Sequence, residues 1–290
     1  MHPTDDTSAL NSKHVQRRFD RAAPGFDSVD FVHSVTRDGL LARLTPMVIE
    51  PLTVIDLGSA TGSGTRLLAQ RFRRAHVIAT DLSRRMLEHA DKKQSWFART
   101  SAVQAHAEAL PFADQSVDVV FANMLLPWLS DLTQPFAEIA RVLRKDGLFV
   151  FATLGPDSLS ELRHAWRKVD DGKHVSSFLD MHDIGDAAVR AGLRDPVLDV
   201  DRLSITYRNA ASLFQDLTAV GGRNTLRHRK HSLGGAGQLK AVADALDAQR
   251  LGGLLTLDLE LVYGHSWGSG ARSPGGEYRV DPGQISRRRY

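Results

Sequence analysis

The chain has 290 residues, of which 42% are hydrophobic and 24% charged, with a formal net charge of +3 and no cysteine. That length suffices for one large domain with a well-buried core. The missing thiols exclude disulfides, thiolate metal ligands and cysteine nucleophiles. No apolar run approaches the roughly 20 residues of a membrane span. The opening MHPTDDTSALNSKH lacks a secretory apolar stretch, so a cytoplasmic setting is expected.

Residues 1–12 are polar and expected to be disordered. From Lys13 to Ile49 apolar residues recur at helical spacing, which predicts two N-terminal helices broken near Pro24–Gly25 and ended by Pro51. The pattern then changes to short apolar runs separated by helices: strands over 53–58, 76–81, 101–107, 116–123 and 147–155. The intervening helices are expected over 63–73, after a Ser83 cap, and over 133–144, ending at Asp146–Gly147. Further on come helices over 158–169 and 181–192, the latter with Gly192 near its C-terminal cap, and strands over 196–207 and 256–267. About fifty residues with two helices, near 210–220 and 235–250, separate those last strands, too many for a plain loop. The tail from 268 to 290 is rich in Gly, Ser and Arg and expected to be flexible. Strands alternating with helices make this an α/β chain with a mostly parallel sheet. A single domain is expected over 13–267: N-terminal helices (13–50), a cofactor-binding core (51–155) and a helical substrate cap (156–195 and 208–255).

The chemistry is carried by VIDLGSATGSG (54–64) followed by ATDLS (79–83). The first strand runs into a turn through Asp56, Gly58, Ala60 and Gly62, where glycine lets a ligand lie close over the strand ends. Asp81 follows Gly62 by 19 residues at the tip of the second strand, with Leu82 beside it. A carboxylate there can accept both ribose hydroxyls of an adenosine cofactor. This geometry alone admits NAD as well as S-adenosylmethionine. The spacing is G-x-A-x-G rather than the G-x-G-x-x-G of a pyrophosphate site. The twelve histidines never fall in a spacing such as H-E-x-x-H, and no metal is expected.

An acidic residue two positions before the first glycine makes this segment resemble the opening motif of class I methyltransferases. AEALPFADQSVDVVFAN (107–123) and LRKDGLFVFAT (143–153) resemble later motifs of the same superfamily, in the same order. The resemblance implies a Rossmann-like fold with a seven-stranded sheet and a helical insertion between strands six and seven. It implies S-adenosylmethionine as cofactor, with Ala107 and Glu108 against the adenine and Asn123 near the methionine end. Ala60 replaces a usual glycine, which a negative φ would accommodate, and His106 stands where the superfamily commonly has Asp. A neutral imidazole can accept the adenine amino hydrogen.

FDRAAPGFD (19–27), TLGPDSLSELRHAWRKVD (153–170), HVSSFLDMHDIGDAAVRAG (174–192) and YGHSW (263–267) together resemble the malonyl-[acyl-carrier protein] O-methyltransferases of biotin synthesis. The family often has Tyr at Phe26. The resemblance implies methyl transfer to the free carboxylate of a malonyl thioester, with an acidic acyl carrier protein as partner. Such a carboxylate is already ionised at neutral pH and needs no general base. Arg163, His164 and His174 are candidates for holding it, and Trp128 and Trp166 for walling a tunnel. Basic clusters at Arg17, Arg18 and Arg21, at Arg223, Arg227, Arg229 and Lys230, and at Arg287–Arg289 are either solvated surface or docking faces. Nucleic acid is not expected as a partner, because the chain as a whole is only slightly basic. The arginine-modifying factors of complex I assembly share much of the pattern. Two rivals therefore stand beside the carboxyl methyltransferase: an enzyme modifying an arginine side chain of a partner subunit, or another methyltransferase acting on a small molecule, and a noncatalytic assembly factor.

Overall fold

Alternation along two central strands shows how the sheet is buried. In Val117–Asn123 (β4), Val120 and Ala122 point to one face while Val119 and Phe121 point to the other. In Leu143–Leu154 (β5), Phe149 and Phe151 share the first face and Leu148, Val150 and Ala152 the second. Both faces are covered, so these strands read as continuous apolar runs. The computed structural model describes residues 10–93, 99–172, 174–222 and 235–270.

The sheet has seven strands: Thr53–Leu57 (β1), His76–Asp81 (β2), Thr100–Gln104 (β3), β4, β5, Leu193–Tyr207 (β6) and Leu255–Gly268 (β7). Their order is β3-β2-β1-β4-β5-β7-β6. All pairings are parallel except those of β7, which runs antiparallel to both β5 and β6. Order reverses at β1, so a crevice opens above the ends of β1 and β4, where ligands of open α/β sheets bind.

Helices Ser12–Ala22 (α1) and Phe31–Arg43 (α2) precede β1, and Ser63–Arg71 (α3) follows it. Next come Arg84–Lys92 (α4), Thr133–Val142 (α5), Ser160–Arg167 (α6) and Met181–Arg190 (α7). Phe136 and Ile139 of α5 and Ile184 of α7 cover one face; Leu40 of α2 and Leu68 of α3 cover the other. Ala210–Ala219 (α8) and Gly235–Asp247 (α9) lie between β6 and β7, as the insertion requires. Leu213, Val242 and Leu246 of these helices, Leu162 of α6, and Leu255 and Leu257 of β7 form a separate cluster beyond the sheet.

Several predicted boundaries move. The second helix ends at Arg43, not at Pro51, because the ring of Pro46 cannot sit in a continuing helix. β3 stops at Gln104 rather than 107, because its partner β2 ends at Asp81, the residue paired with Gln104. His106 and Ala107 therefore lie in a loop. Arg141 of α5 clamps that loop, donating to the carbonyls of Leu110 (2.9 Å) and Phe112 (2.8 Å), while Glu138 accepts from the Leu110 amide (2.8 Å). β5 starts at Leu143, with Asp146 at φ +60° where the predicted helix end lay. Ser83 caps α4 by accepting from the Met86 amide (3.1 Å).

Gly264 of β7 sits opposite Phe151, whose ring lies where a Cβ would be. That ring also packs against Phe136 and Phe149, with centroids 6.3 and 5.1 Å away, and is buried. Gly264→Ala should therefore lower stability by about 1–3 kcal/mol through overpacking. Urea unfolding checks it: the midpoint falls with an unchanged slope.

Candidate active site

The turn after β1 is built from backbone in the left-handed region: Gly58 at φ +76°, Ala60 at +46° and Gly62 at +75°. The amides of Gly58 (2.7 Å) and Ser59 (3.1 Å) both donate to the Thr80 carbonyl. The Ala60 amide donates to Asp81 Oδ2 (2.9 Å), and the Ser83 amide to Asp81 Oδ1 (2.8 Å). The expected negative φ at Ala60 is thus not what the turn adopts. Its side chain packs against the apolar cluster of Ala23, Phe26 and Met86, which offsets the cost of that backbone conformation. Gly62 does not face the crevice. A Cβ there would lie 2.8 Å from that of Ala90, so this glycine serves helix packing. Gly64 faces the crevice instead, and its missing Cβ makes room for the Asp56 carboxylate.

Two adjoining recesses lie over this turn. One is lined by Gly58, Ala60, Asp81, Leu82, His106 and Ala107, among others. The other is lined by Asp30, Arg37, Asp56, Ser59, Ser63 and Gly64. Phe26, His33 and Asn123, together with Gly58 and Ala60, line both. Burial pushes the Asp81 and Asp56 carboxyls up to about 6 each. Asp56 also accepts from the Thr65 hydroxyl (2.6 Å). Five buried polar atoms around the recesses have no hydrogen-bond partner: His33 Nδ1, Arg37 Nε, Ser59 Oγ, Thr80 Oγ1 and Asn123 Oδ1. Buried polar groups are rarely left so, and this cluster fits a polar ligand. The donor set suits S-adenosylmethionine: carboxylate for a ribose diol, amide oxygen for an ammonium, guanidinium for a carboxylate.

α1 roofs the first recess with Ser12, Val15 and Phe19, and Trp128 adds a wall, its ring edge-on to Phe19 at 4.9 Å. Two polar contacts tie the roof to the sheet: Gln16 Nε2 donates to the Leu82 carbonyl (3.2 Å), and Ser83 Oγ donates to Asp20 (2.6 Å). Ala107 is buried in the wall, but Glu108 is exposed and does not line the recess. Its amide instead donates to His106 Nδ1 (3.3 Å). A neutral imidazole that accepts there carries its proton on Nε2, so its other nitrogen is a donor rather than the expected acceptor. Asn123 Nδ2 donates to the His33 carbonyl (2.9 Å), which aims its free Oδ1 elsewhere.

A third cavity, of about 530 Å³, lies beneath α6 and α8 and is within the usual size of a small-molecule site. It meets the first recess at His33, Met124 and Trp128. Its walls are largely apolar, with Val32, Leu154, Leu159, Phe178 and Leu259, and its far end carries Tyr207, Arg208 and Asp216. Burial and Asp216 push the Tyr207 phenol up to about 12, so it stays a donor. His174 lines this cavity, bonded to Asp170 (2.6 Å) and stacked on Trp166 with centroids 3.7 Å apart. Arg163 and His164 do not line it. Leu162 of α6 and Leu159 just before it face inward, leaving His164 exposed and Arg163 donating to the Pro156 carbonyl (2.6 Å).

Sequence reasoning missed His33, Arg37 and Arg208. The first two lie on a helix before the glycine turn and the third follows a strand, with no motif around any of them. His33 is partly buried, and desolvation together with the Arg37 charge lowers its imidazole to about 4, so it is neutral. The Phe26 ring packs against it edge-on at 5.1 Å, at the position where the resembling family often has Tyr. The basic cluster at Arg223, Arg227, Arg229 and Lys230 and the one at Arg287–Arg289 lie outside the described residues.

A family model described as a methyltransferase domain matches residues 55–151. A malonyl-[acyl-carrier protein] O-methyltransferase of Methylovorus sp. (strain MP688) is 40% identical over 93% of both chains. One of Halorhodospira halophila is 38% identical over the full length of both. Among solved structures, the YcgJ protein of Bacillus subtilis superposes with a TM-score of 0.59 at 18% identity, covering 80% of this chain and 97% of its own. That likeness is one of fold.

The two raised carboxyls set a pH dependence. Burial disfavours their ionised forms, whereas hydroxyl and ammonium donors of a bound cofactor favour them, so binding lowers both pKa values. Affinity for S-adenosylmethionine should hold above pH 7 and fall as pH drops through about 6. Asp81→Asn should weaken binding about 10- to 100-fold at pH 7.5, the range for a hydrogen bond to a charged group. Calorimetric titration across pH reads both effects; an Asp81→Asn affinity equal to wild type would contradict the assignment.

Proposed function

The chain belongs to the malonyl-[acyl-carrier protein] O-methyltransferase family, and from that premise we propose how its two joined cavities divide the work. S-adenosylmethionine supplies an electrophilic methyl group on a sulfonium. The acceptor is the free carboxylate of a malonyl thioester carried by acyl carrier protein. One carboxylate oxygen attacks the methyl carbon, and the carbon–sulfur bond breaks with its electrons staying on sulfur. The products are a methyl ester and S-adenosylhomocysteine, and no proton is transferred. The ester is the form in which the chain enters pimeloyl synthesis for biotin, and a cytoplasmic setting agrees with the cysteine-free sequence.

Chemistry supports a role for each residue of the cofactor recess. Asp81 holds the ribose diol through the lone pairs left over from its two backbone bonds. Leu82, Ala107 and the Nε2 proton of His106 surround the adenine. Asn123 Oδ1 and Asp56 receive the ammonium, and Arg37 receives the carboxylate of the methionine part. Gly58 and Ala60 provide the floor. Glu108 has no part in this arrangement.

The observation that carries the proposal is the wall where the recesses meet. His33, Met124 and Trp128 are common to the cofactor side and the acceptor side. His33 is neutral and its Nδ1 lacks a partner. A neutral imidazole can give one N–H to the acceptor carboxylate and orient it without neutralising the nucleophile. Met124 and Trp128 exclude water around it, which strengthens the attack on a cationic centre. A guanidinium acceptor would call for a carboxylate at this wall, and none of the three shared residues is acidic. His174, oriented by Asp170, lies farther along the acceptor cavity and suits the thioester carbonyl rather than the reacting carboxylate. Clusters at Arg223, Arg227, Arg229 and Lys230 would add positive charge for an acidic carrier.

Incubation with malonyl-carrier protein and S-adenosylmethionine should add one methylene unit to the carrier mass. Absence of that product, with cofactor binding intact, would reject this substrate. His33→Phe keeps an aromatic ring and removes the N–H; kcat should fall at least about tenfold, the cost of one positioned donor. Because His33 titrates near 4, kcat at saturating cofactor should be flat between pH 6 and 8. An inflection near the ordinary histidine value would instead indicate a general base.

A further inference from the structure

A basic recess of about 510 Å³ lies outside both cavities, between α1 and the end of α8. Its lining comes from His14, Arg17, Arg18 and Arg21 on α1 and from Thr218, Ala219 and Gly221. The four basic positions are spaced 3, 1 and 3 apart, which places them on one helical face. None of the described lining residues is acidic, and Arg17 and Arg21 are exposed. Among the described residues neither of those two has an acidic partner. The only nearby acid of the helix, Asp20, is engaged by the Ser83 hydroxyl (2.6 Å).

The location of this charge gives it meaning. Leu217, Val220 and Gly222 line the acceptor cavity, while Thr218, Ala219 and Gly221 line the basic recess. One short stretch of chain thus separates the charged surface from the cavity in which the acceptor is placed. Arg208, exposed at the same end of that cavity, extends the positive charge toward it. A partner resting on α1 would have its tethered thioester beside the opening. The opposite face of α1 is apolar and closes the cofactor recess through Val15 and Phe19. One helix therefore seals the cofactor on its inner side and presents cations on its outer side.

We propose that this recess on α1, with Arg17 and Arg21 as its exposed cations, is the docking surface for an acidic helix of the carrier protein that bears the malonyl thioester. The proposal rests on the function given above and adds the place and the residues of contact. Attraction at such a surface speeds encounter and fixes register, and it is screened by salt within about 8 Å at physiological ionic strength. It leaves the chemistry at the His33 wall untouched.

The test compares two acceptors: malonyl-carrier protein, and malonyl-pantetheine, which has neither protein nor phosphate. For R17E/R21E, kcat/KM with the carrier should fall about 10- to 100-fold, mostly in KM. With malonyl-pantetheine it should equal wild type, and so should the Kd for S-adenosylmethionine. R17K/R21K should retain most of the carrier activity, and the wild-type KM for the carrier should rise with salt far more steeply than that of R17E/R21E. Equal losses on both acceptors would show damage to the fold or the site and overturn the proposal. An unchanged KM for the carrier would overturn it as well. Direct binding of the holo-carrier protein, followed by fluorescence anisotropy, reads docking without turnover: wild type should bind and R17E/R21E should bind at least about tenfold more weakly. If wild type binds the carrier but leaves the malonyl group unmethylated, the substrate assignment fails and the docking surface stands. Loss of binding to double-stranded DNA in place of carrier would mark the face as a nucleic-acid site and reject an acidic protein partner.

Discussion

Two hydrogen bonds to one carboxylate hold the site in shape. Asp81 at the tip of β2 accepts from the amide of Ala60, in the turn after β1, and from the amide of Ser83, at the start of α4. The turn cannot swing into the crevice without leaving a partly buried amide and a partly buried carboxylate unpaired, and both are costly. The amides of Gly58 and Ser59, donating to Thr80, fix the same junction from the other strand end. Everything over the crevice is then placed relative to this junction: the roof of α1 through Gln16 and Asp20, and the shared wall through Asn123 and His33.

A consequence of this rigidity is that the protein maintains ionisable groups at an energetic cost. Asp56 and Asp81 are both driven toward 6 by desolvation, and Asp81 raises Asp56 further. Arg37 is tied to Asp30 (3.4 Å) and Ser34 (3.0 Å) yet leaves its Nε bare. His33 is neutral because it is buried beside that guanidinium. Each of these is a poor arrangement for a core and a good one for receiving a zwitterion with a sulfonium. The wall at His33 then marks the border between a polar cavity and an apolar one. That contrast suits a reaction whose nucleophile must lose water before it meets a cation.

The cap adds a second division. α6, α8 and α9 share their own apolar cluster with the first residues of β7, separate from the two clusters flanking the sheet. β6 and β7 carry the cap as a long antiparallel pair running from Leu193↔Gly268 to Tyr207↔Leu255. The cavity of about 530 Å³ lies beneath α6 and α8, so its shape depends on the cap, while the recess over the glycine turn depends on the sheet and α1. No helix of the described residues is long and apolar enough to cross a membrane.

The seven strands, the insertion between β6 and β7 and the turn with Asp81 were legible in the sequence because they rest on local rules. Buried strands are apolar runs, tight turns need glycine, and a helix begins at a capping serine. Boundaries failed where partners decide them: β3 ends because β2 ends, and Leu143 joins a strand because Val117 is there to pair with it. Ala60 was legible as a departure, but the positive φ and the packing against Phe26 and Met86 belong to the fold. Glu108 matched a motif and yet faces solvent, because the loop clamped by Arg141 turns it outward. His33, Arg37 and Arg208 carry no local signal at all. What the sequence determined was the class of fold and of cofactor, since both depend on residues close together along the chain. What the tertiary structure alone decided was where two cavities meet and which side chains face that meeting, since those side chains are brought together from distant segments by packing.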